Sequence, residues 1–247
     1  MLQRMASPNG SPAGSSADFG DAFALAREVP GWLTEDQALV LYDAAAAVPA
    51  GGRVLEIGSH HGRSTIVLAA AAAEGVHVVA VDPFLPNWRY GGPDTEQACR
   101  DNLARAGLGD GVELRVTTSR DARETWVGCL DLVYVDGKHD HGSARDDLRW
   151  AAYLRPEGKL FVHDAFSSLG VTTALLRELI GSGRLRYVGR TGSLALLVPG
   201  APSLVDRLRV VAELPWWLRN LTIKVLLRLG LHPLARAAGH EGTADPY

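Results

Sequence analysis

The sequence predicts an α/β protein whose sheet, largely parallel, is covered by helices on both faces. Segments typical of strands alternate with segments typical of helices along most of the chain, which is the pattern of consecutive β-α units. An apolar strand runs into a glycine turn and then into an alanine-rich helix within residues 53–74. The next strand, residues 77–82, ends in a carboxylate. Open α/β sheets bind ligands at the edge where such strands end, so these two turns predict a binding site.

The chain divides into three regions by composition. With 247 residues, 47% of them hydrophobic, it is long enough for one domain with appendages. Residues 1–18 are rich in Ser, Gly, Pro and Ala without the apolar run of a signal peptide, so we expect a disordered tail. The folded domain is expected over residues 19–200, with a C-terminal extension over residues 201–247. Cys99 and Cys129 lack metal-type spacing and are expected to be reduced core residues.

Each predicted element follows from a local pattern. Thr34, with Gln37 three places later, forms a capping-box pattern that predicts a helix over residues 34–48. The Thr191-Gly192 pair separates two extended runs and predicts an antiparallel hairpin. Strands are predicted at residues 53–57, 77–82, 112–117, 131–136 and 158–163, and the hairpin at residues 184–190 and 193–198. Further helices are predicted at residues 63–74, 94–106, 143–153 and 171–181.

The first turn reads Glu56-Ile57-Gly58-Ser59-His60-His61-Gly62. Glycines let backbone amides approach a ligand closely, and the helix start that follows supplies unpaired N–H groups. The dinucleotide motif G-x-G-x-x-G is absent, because His60 and Arg63 stand at its later glycine positions. Glu56 would repel a phosphate and could hold the amino group of a cationic ligand. A turn that binds nothing is the alternative interpretation.

Asp82 ends the second strand and could accept both hydroxyls of a ribose, or simply begin a turn before Pro83. The acid-x-Gly-x-Gly-x-Gly pattern is matched by Glu56, Gly58 and Gly62, with His60 at the middle glycine. On these residues the chain resembles the class I S-adenosylmethionine-dependent methyltransferases, in particular the macrocin O-methyltransferase-like methyltransferase 24 proteins. The resemblance implies five parallel strands with a C-terminal antiparallel hairpin and S-adenosylmethionine as cofactor. The cofactor contacts that we predict are Glu56, Gly58, Ser59, Gly62, Asp82, Ser119, Arg120 and Asp136.

The loop after the third strand is a predicted contact for the adenine ring. Related methyltransferases use this loop for that purpose, and a backbone or hydroxyl group at Ser119 could bond a ring nitrogen. Asp121 could accept from the exocyclic amine. The alternative is that Ser119 or Asp121 only caps the following helix.

The fourth and fifth strands each deliver a carboxylate, Asp136 and Asp164, to the same edge. Two such carboxylates could hold a hard cation such as Mg²⁺. The resemblance to metal-dependent O-methyltransferases implies Asp136 and Asp164 as ligands, with Ala165 at the position of the usual third ligand. His163 should point away from Asp164 on an alternating strand, so we expect a packed or hydrogen-bonded histidine.

His139 is the predicted general base, with Asp136 as its catalytic neighbour. It follows Asp136 by three residues, the offset of the catalytic lysine in catechol-type relatives, and imidazole is a natural base near neutral pH. Asp140 and His141 are candidate orienting partners or substrate contacts. The alternative is an exposed polar loop that merely carries histidines.

Two segments outside this pattern carry further expectations. Trp88 and Tyr90 lie in a long loop, residues 84–93, that could form a lid or substrate wall, or pack back on the core. Residues 201–236 carry six basic and two acidic residues, a net charge of +4, whereas the rest of the chain has a net charge of −7. This extension could contact a membrane interface, a second subunit or its own domain, and we favour docking on a protein surface.

The predicted function is S-adenosylmethionine-dependent O-methylation of a hydroxyl on a small molecule, sugar or natural-product intermediate. The predicted setting is the cytoplasm, with peripheral membrane contact as an alternative and no nucleic-acid partner. A NAD(P)-dependent oxidoreductase is a rival that the missing glycine motif and Glu56 disfavour. A non-catalytic protein that retains the fold is a second rival, because of Ala165.

Overall fold

A seven-stranded sheet forms the centre of the protein, with the strand order β3-β2-β1-β4-β5-β7-β6. The computed structural model describes residues 18–86 and 91–240. The pairs among β1 to β5 are parallel, and β7 pairs antiparallel with both β5 and β6. The predicted fold class is confirmed. The strands are β1 (Arg53–Ile57), β2 (His77–Val81), β3 (Val112–Arg115), β4 (Leu130–Val135), β5 (Leu154–Val162), β6 (Leu185–Thr191) and β7 (Leu194–Pro199).

The helices follow the predicted alternation, with differences at their ends. The capping box of Thr34 and Gln37 forms as predicted. The helix expected to end at residue 153 gives way to a 3-10 segment at Leu148–Tyr153, and the one expected to end at 181 gives way to a π segment at Arg177–Ser182. The helices are α1 (Phe19–Ala26), α2 (Glu35–Ala46), α3 (Arg63–Ala71), α4 (Pro93–Arg105), α5 (Ser119–Glu124), α6 (His141–Asp147), α7 (Leu169–Leu176), α8 (Leu204–Ala212), α9 (Leu214–Arg228) and α10 (His232–Ala237).

Both faces of the sheet are buried, which explains the nearly continuous apolar sequence of the central strands. Successive side chains of a strand point to opposite faces. Val54 therefore packs with α1, α2 and α3, whereas Leu55 and Ile57 pack against the layer that contains α6 and α7. Cys99 is buried as expected, but Cys129 is exposed, so its assignment to the core was wrong.

The turn after β1 approaches the end of β4 more closely than any side chain would allow. A Cβ atom built on Gly58 would lie 2.2 Å from the Asp136 carbonyl oxygen, and Gly58 has a φ of +92°. Asp136 N donates to the Ile57 carbonyl at 2.8 Å, while Gly58 N donates to the Val81 carbonyl at 2.9 Å. Glycine at position 58 thus lets the ends of three neighbouring strands meet.

The helices of the C-terminal extension dock on the domain itself. Glu213 accepts hydrogen bonds from Tyr187 Oη at 2.8 Å and from Arg190 Nε at 2.7 Å. The Arg190 guanidinium lies 3.8 Å from the ring centroid of Trp216, and Asn220 Nδ2 donates to the Phe166 carbonyl at 3.2 Å. These polar contacts attach the start of α9 to β6 and its middle to the loop after β5. The aromatic pair in the loop between β2 and α4, Trp88 and Tyr90, lies outside the described residues.

Candidate active site

The carboxyl ends of β1, β2, β4 and β5 bring the predicted site residues to one edge of the sheet. Asp82 reaches across to the β1 turn, where its Oδ2 accepts from His60 N at 2.9 Å. Its Oδ1 accepts from Phe84 N at 2.8 Å, so the carboxylate holds two backbone amides. Burial raises the pKa of the Asp82 carboxyl, and hydrogen bonds from the backbone amides of His60, Phe84 and Ser59 partly offset the increase. The two oxygens have four lone pairs in all, so the carboxylate could still accept from a ligand hydroxyl.

Glu56 lies beneath the turn and is completely buried. Ser64 Oγ donates to one of its carboxylate oxygens at 2.5 Å, and Thr65 Oγ1 donates to the other. Burial raises the pKa of Glu56 to about 7, although hydrogen bonds from these hydroxyls lower it in part. Glu56 therefore fixes the first turn of α3 from below, and its contact with a ligand amino group stays a prediction.

His60 occupies the place of the middle glycine with a φ of +47°. Its ring centroid lies 3.9 Å from that of His61 and 5.7 Å from that of the exposed Trp32. Burial, followed by the charge of His61, lowers the pKa of His60 to about 4, so the imidazole is neutral at pH 7. Arg63 Nη1 donates to the Gly31 carbonyl at 2.8 Å, which ties the start of α3 to the chain before α2. The contact between Trp32 and His60 was not predicted from the sequence, because the two residues lie 28 positions apart in the chain.

The predicted adenine loop after β3 forms the start of α5. Thr118, rather than Ser119, is the N-cap, since Thr118 Oγ1 accepts from Asp121 N at 3.2 Å and donates to the Asp121 carboxylate at 2.8 Å. Ser119 Oγ accepts from Trp150 Nε1 at 2.9 Å. The exposed Arg120 pairs with Asp146 at 3.5 Å. Neither Ser119 nor Asp121 is therefore the capping residue; Asp121 is the partner of the Thr118 cap. The adenine contacts of Ser119, Arg120 and Asp121 stay predictions.

The side chains of Asp136, His139, His163 and Asp164 form a compact charged cluster where β4 and β5 end. The two ring nitrogens of His139 lie 3.0 Å from Asp164 Oδ2 and 3.5 Å from Asp136 Oδ1. His163 Nδ1 lies 3.4 Å from Asp136 Oδ1. Tyr134 Oη donates to Asp136 Oδ2 at 3.0 Å. The predicted pairing of His139 with Asp136 is therefore present, and it extends to Asp164.

The cluster shifts the pKa of each of its members. Burial alone would raise the pKa of Asp136, but the charges and hydrogen bonds of His163 and His139 outweigh it and hold the pKa far below its usual range. Burial alone would lower the pKa of His163, but Asp136 and then Asp164 raise it to about 10. For His139, the hydrogen bond to Asp136 and the charge of Asp164 likewise outweigh burial and raise the pKa. The carboxylates are thus ionised and partly neutralised by imidazolium.

The expectation that His163 points away from Asp164 was wrong. Strand β5 ends at Val162 and Asp164 has a φ of +55°, so the two-residue alternation of a strand no longer applies there. His163 is buried and its Nε2 lies 3.2 Å from Gln37 Oε1, which also accepts from Thr34 N. His163 is therefore hydrogen-bonded, as expected, yet its other nitrogen faces the cluster.

Ala165, at the expected third ligand position, is buried, and its backbone N–H donates to the Ser193 carbonyl at 2.9 Å. His163 instead completes the possible ligand set. One ligand atom from each of Asp136, His163 and Asp164 lies within 4.8 Å of the others. The imidazole of His163 could thus take the place of the third ligand that Ala165 does not supply.

The remaining polar residues of the loop have structural partners. Asp140 is the N-cap of α6, because its Oδ1 accepts from Ser143 N at 3.0 Å. This backbone hydrogen bond lowers the pKa of Asp140 to about 2. His141 Nδ1 lies 2.9 Å from Thr173 Oγ1. Within the described part of the chain, neither Asp140 nor His141 forms a hydrogen bond or ion pair with His139, so the structure gives no support to their role as its orienting partners.

Comparison with known proteins shows that part of this chain is similar to a known family of domains. Residues 55–165 match a family model described as a methyltransferase domain. A catechol O-methyltransferase of Mycobacterium tuberculosis is 35% identical over 113 residues, which cover 45% of this chain and 47% of that protein. The match thus spans about half the length of this curated relative.

Solved structures share the fold over a longer range. A cofactor-bound protein from MTB is 26% identical with a TM-score of 0.57, covering 73% of this chain and 88% of that one. The O-methyltransferase TomG from Streptomyces achromogenes is 21% identical with a TM-score of 0.56, covering 76% of this chain and 92% of that one. The chain has a class I methyltransferase fold. In this methyltransferase fold, the β1 turn and the cluster at β4 and β5 occupy neighbouring positions on one edge.

The buried Glu56 generates a prediction about stability. Because its pKa is raised from 4.5 to about 7, the folded protein binds more protons than the unfolded chain between these values, and stability falls as pH rises. Glu56→Gln removes this ionisation and keeps groups that can bond the Ser64 and Thr65 hydroxyls. We expect the variant to gain on the order of 2–3 kcal/mol relative to wild type between pH 5 and pH 8. Urea unfolding at both pH values measures this, and an equal difference at both would contradict it.

Proposed function

We propose that this protein is an S-adenosylmethionine-dependent O-methyltransferase that acts on a hydroxyl group of a small molecule. The observation that carries the proposal is His139, which contacts Asp136 and Asp164 next to the glycine turn of β1. A base beside a cofactor turn is what hydroxyl methylation requires. The solved relative from Streptomyces achromogenes was crystallised in complex with SAM, and the curated relative is a catechol O-methyltransferase, which supports this reaction class.

The residues of the β1 turn fit the cofactor. Gly58 and Gly62 both have positive φ values and present backbone without a side chain, and Gly62 is the N-cap of α3. Asp82 at the next strand end would accept from the ribose hydroxyls. Gly58, Ser59 and Gly62 would line the methionine side, with Ser119 and Arg120 near the adenine. Glu56 accepts hydrogen bonds from two hydroxyls at the start of α3, so it would support the turn through this helix.

The chemistry needs an in-line approach and the loss of one proton. S-adenosylmethionine, when bound, would supply the methyl group: the hydroxyl oxygen would bond to the methyl carbon as the carbon–sulfur bond breaks. In neutral His139, Nδ1–H would donate to Asp164 Oδ2 at 3.0 Å, and Nε2, 3.5 Å from Asp136 Oδ1, would accept the hydroxyl proton. Because the pKa of His139 is raised, a protonated imidazole would first release its Nε2 proton to solvent. Asp136 and Asp164 orient the ring and stabilise the imidazolium that forms.

We also propose that the cluster holds a divalent cation through Asp136, His163 and Asp164. Ligand atoms within 4.8 Å of one another, including two ionised carboxylates, fit a cation of this charge. Gln37 Oε1 accepts from His163 Nε2, which leaves Nδ1 as the possible ligand atom, and an imidazole ligand favours Mn²⁺ or another transition metal over Mg²⁺. The bound ion would lower the pKa of the acceptor hydroxyl.

Binding of the cofactor product tests the first half of the proposal. We expect S-adenosylhomocysteine to bind in the micromolar range by calorimetry and NADH not to bind. Asp82→Asn should weaken S-adenosylhomocysteine binding by roughly tenfold or more, since a charge-assisted hydrogen bond contributes about 1.5–3 kcal/mol. Tight NADH binding would support the oxidoreductase rival instead, and unchanged affinity in the variant would place the ribose away from Asp82.

His139→Ala tests the base. Turnover should fall by roughly 10²–10⁴, the usual scale for removal of a general base, while the affinity for S-adenosylhomocysteine stays close to wild type. His141→Ala is the matched control, because His141 is two residues from His139, at the start of α6, and contacts Thr173. Steady-state rates with a panel of catechols and other hydroxyl acceptors provide the measurement. Equal activity in both variants would reject His139 as the base.

The metal is tested by binding as well as by activity. We expect the dialysed protein to take up one equivalent of Mn²⁺ or Mg²⁺ by calorimetry and to lose activity in chelator. Asp164→Asn should abolish uptake, whereas Asp140→Asn, which alters a helix cap of the same loop, should retain it. Full activity in excess chelator, with no ion bound, would show that the carboxylates serve His139 alone.

A further inference from the structure

Helix α8 carries an apolar row on the side that faces away from the domain. Asp206 and Val210 are buried and mark the docked side. At about 100° per residue, the side chains of Leu204, Leu208 and Val211 lie on the opposite side. They are exposed, with fractions between 47% for Val211 and 73% for Leu204.

Helix α9 repeats this arrangement. Its docked side contains Asn220 and Ile223, both fully buried. Leu218, Val225 and Leu229 form the opposite row and are more than half exposed. The domain therefore leaves this row uncovered. A helix with apolar rows on both sides has a second apolar surface available for a partner.

Basic side chains border both rows. In α8, Arg207 and Arg209 lie on either side of the apolar row, and in α9 Lys224 and Arg228 lie along one edge. Arg209 pairs with Asp206 at 3.5 Å. Within residues 18–86 and 91–240, no carboxylate forms an ion pair with Arg207, Lys224 or Arg228. Positively charged side chains beside the apolar rows are thus available to an anionic partner.

We propose that the outward face of α8 and α9 binds the surface of an anionic lipid bilayer. An apolar row between basic residues suits an interfacial helix, which buries leucines among acyl chains and places arginines at the headgroups. The net charge of +4 over residues 201–236, against −7 for the rest, directs this face toward an anionic surface. None of the described helices is long and apolar enough to cross a bilayer, so the helices would lie on the membrane.

Charge also decides against a second copy of the chain as the occupant. A symmetric dimer places the same patch of both subunits face to face, so two segments of net charge +4 would oppose each other. Like charges repel, and the described residues of α8 and α9 hold only Asp206 and Glu213 as acids nearby, each already paired with arginine from β6. Anionic headgroups supply the missing negative charge.

Cosedimentation with vesicles tests the proposal. The full chain should bind vesicles of phosphatidylcholine mixed with phosphatidylglycerol, should bind far less to phosphatidylcholine alone, and should dissociate at high salt. Arg207→Gln with Arg228→Gln should weaken binding by about tenfold or more, and Leu218→Gln with Leu229→Gln should also weaken it. Arg27→Gln is the matched control, because Arg27 is exposed and directly follows α1. This variant should bind the vesicles as wild type does.

Light scattering without lipid distinguishes the rival occupant. We expect the Leu218→Gln, Leu229→Gln variant to have the same mass as wild type and the same circular dichroism spectrum. A wild-type dimer that this variant converts to a monomer, without vesicle binding, would overturn the proposal and identify the face as a subunit interface. Equal binding to neutral and anionic vesicles, or none to either, would also overturn it.

Discussion

Charge compensation between two carboxylates and two imidazoles is the interaction on which the site depends. Asp136 and Asp164 end neighbouring strands, and burying both as anions would be costly without partners. His163 supplies a buried positive charge, and Gln37 of α2 fixes its orientation from behind. His139 is the most exposed of the four side chains, with about half of its surface exposed. The conformation of the loop after β4 therefore follows from electrostatics as well as from chain connectivity.

The backbone approach at Gly58 connects this cluster to the cofactor turn. Because the turn touches the Asp136 carbonyl, a displacement at the end of β4 moves the segment that would hold the methionine part of the cofactor. Glu56 stabilises the same turn from below through the hydroxyls of α3. Its burial is tolerated because it can remain protonated near neutral pH. The turn and the cluster are thus joined at one edge of the sheet, where Asp136 N donates to the Ile57 carbonyl.

The C-terminal helices have two apolar sides, and only one of them is used by the domain. Their docked side depends on a few polar anchors, among them Glu213 with Tyr187 and Arg190, in addition to buried Val210 and Ile223. Asn220 reaches the Phe166 carbonyl, two residues beyond Asp164. The appendage is therefore hydrogen-bonded to the loop that carries Asp164.

Local patterns in the sequence determined the alternation of strands and helices, the capping box at Thr34, the glycine turn and the carboxylates Asp82, Asp136 and Asp164 at strand ends. These features depend on residues close together in the chain, where periodicity and turn chemistry decide the backbone. The orientation of His163, its bond to Gln37 and the aromatic group of Trp32 and His60 were decided only by the tertiary structure. The tertiary structure also decided which side of α9 docks, because both sides are apolar and only the shape of the domain selects one. Pairings across 126 residues, such as His163 with Gln37, leave no periodic trace in the sequence, since they arise when separate elements pack.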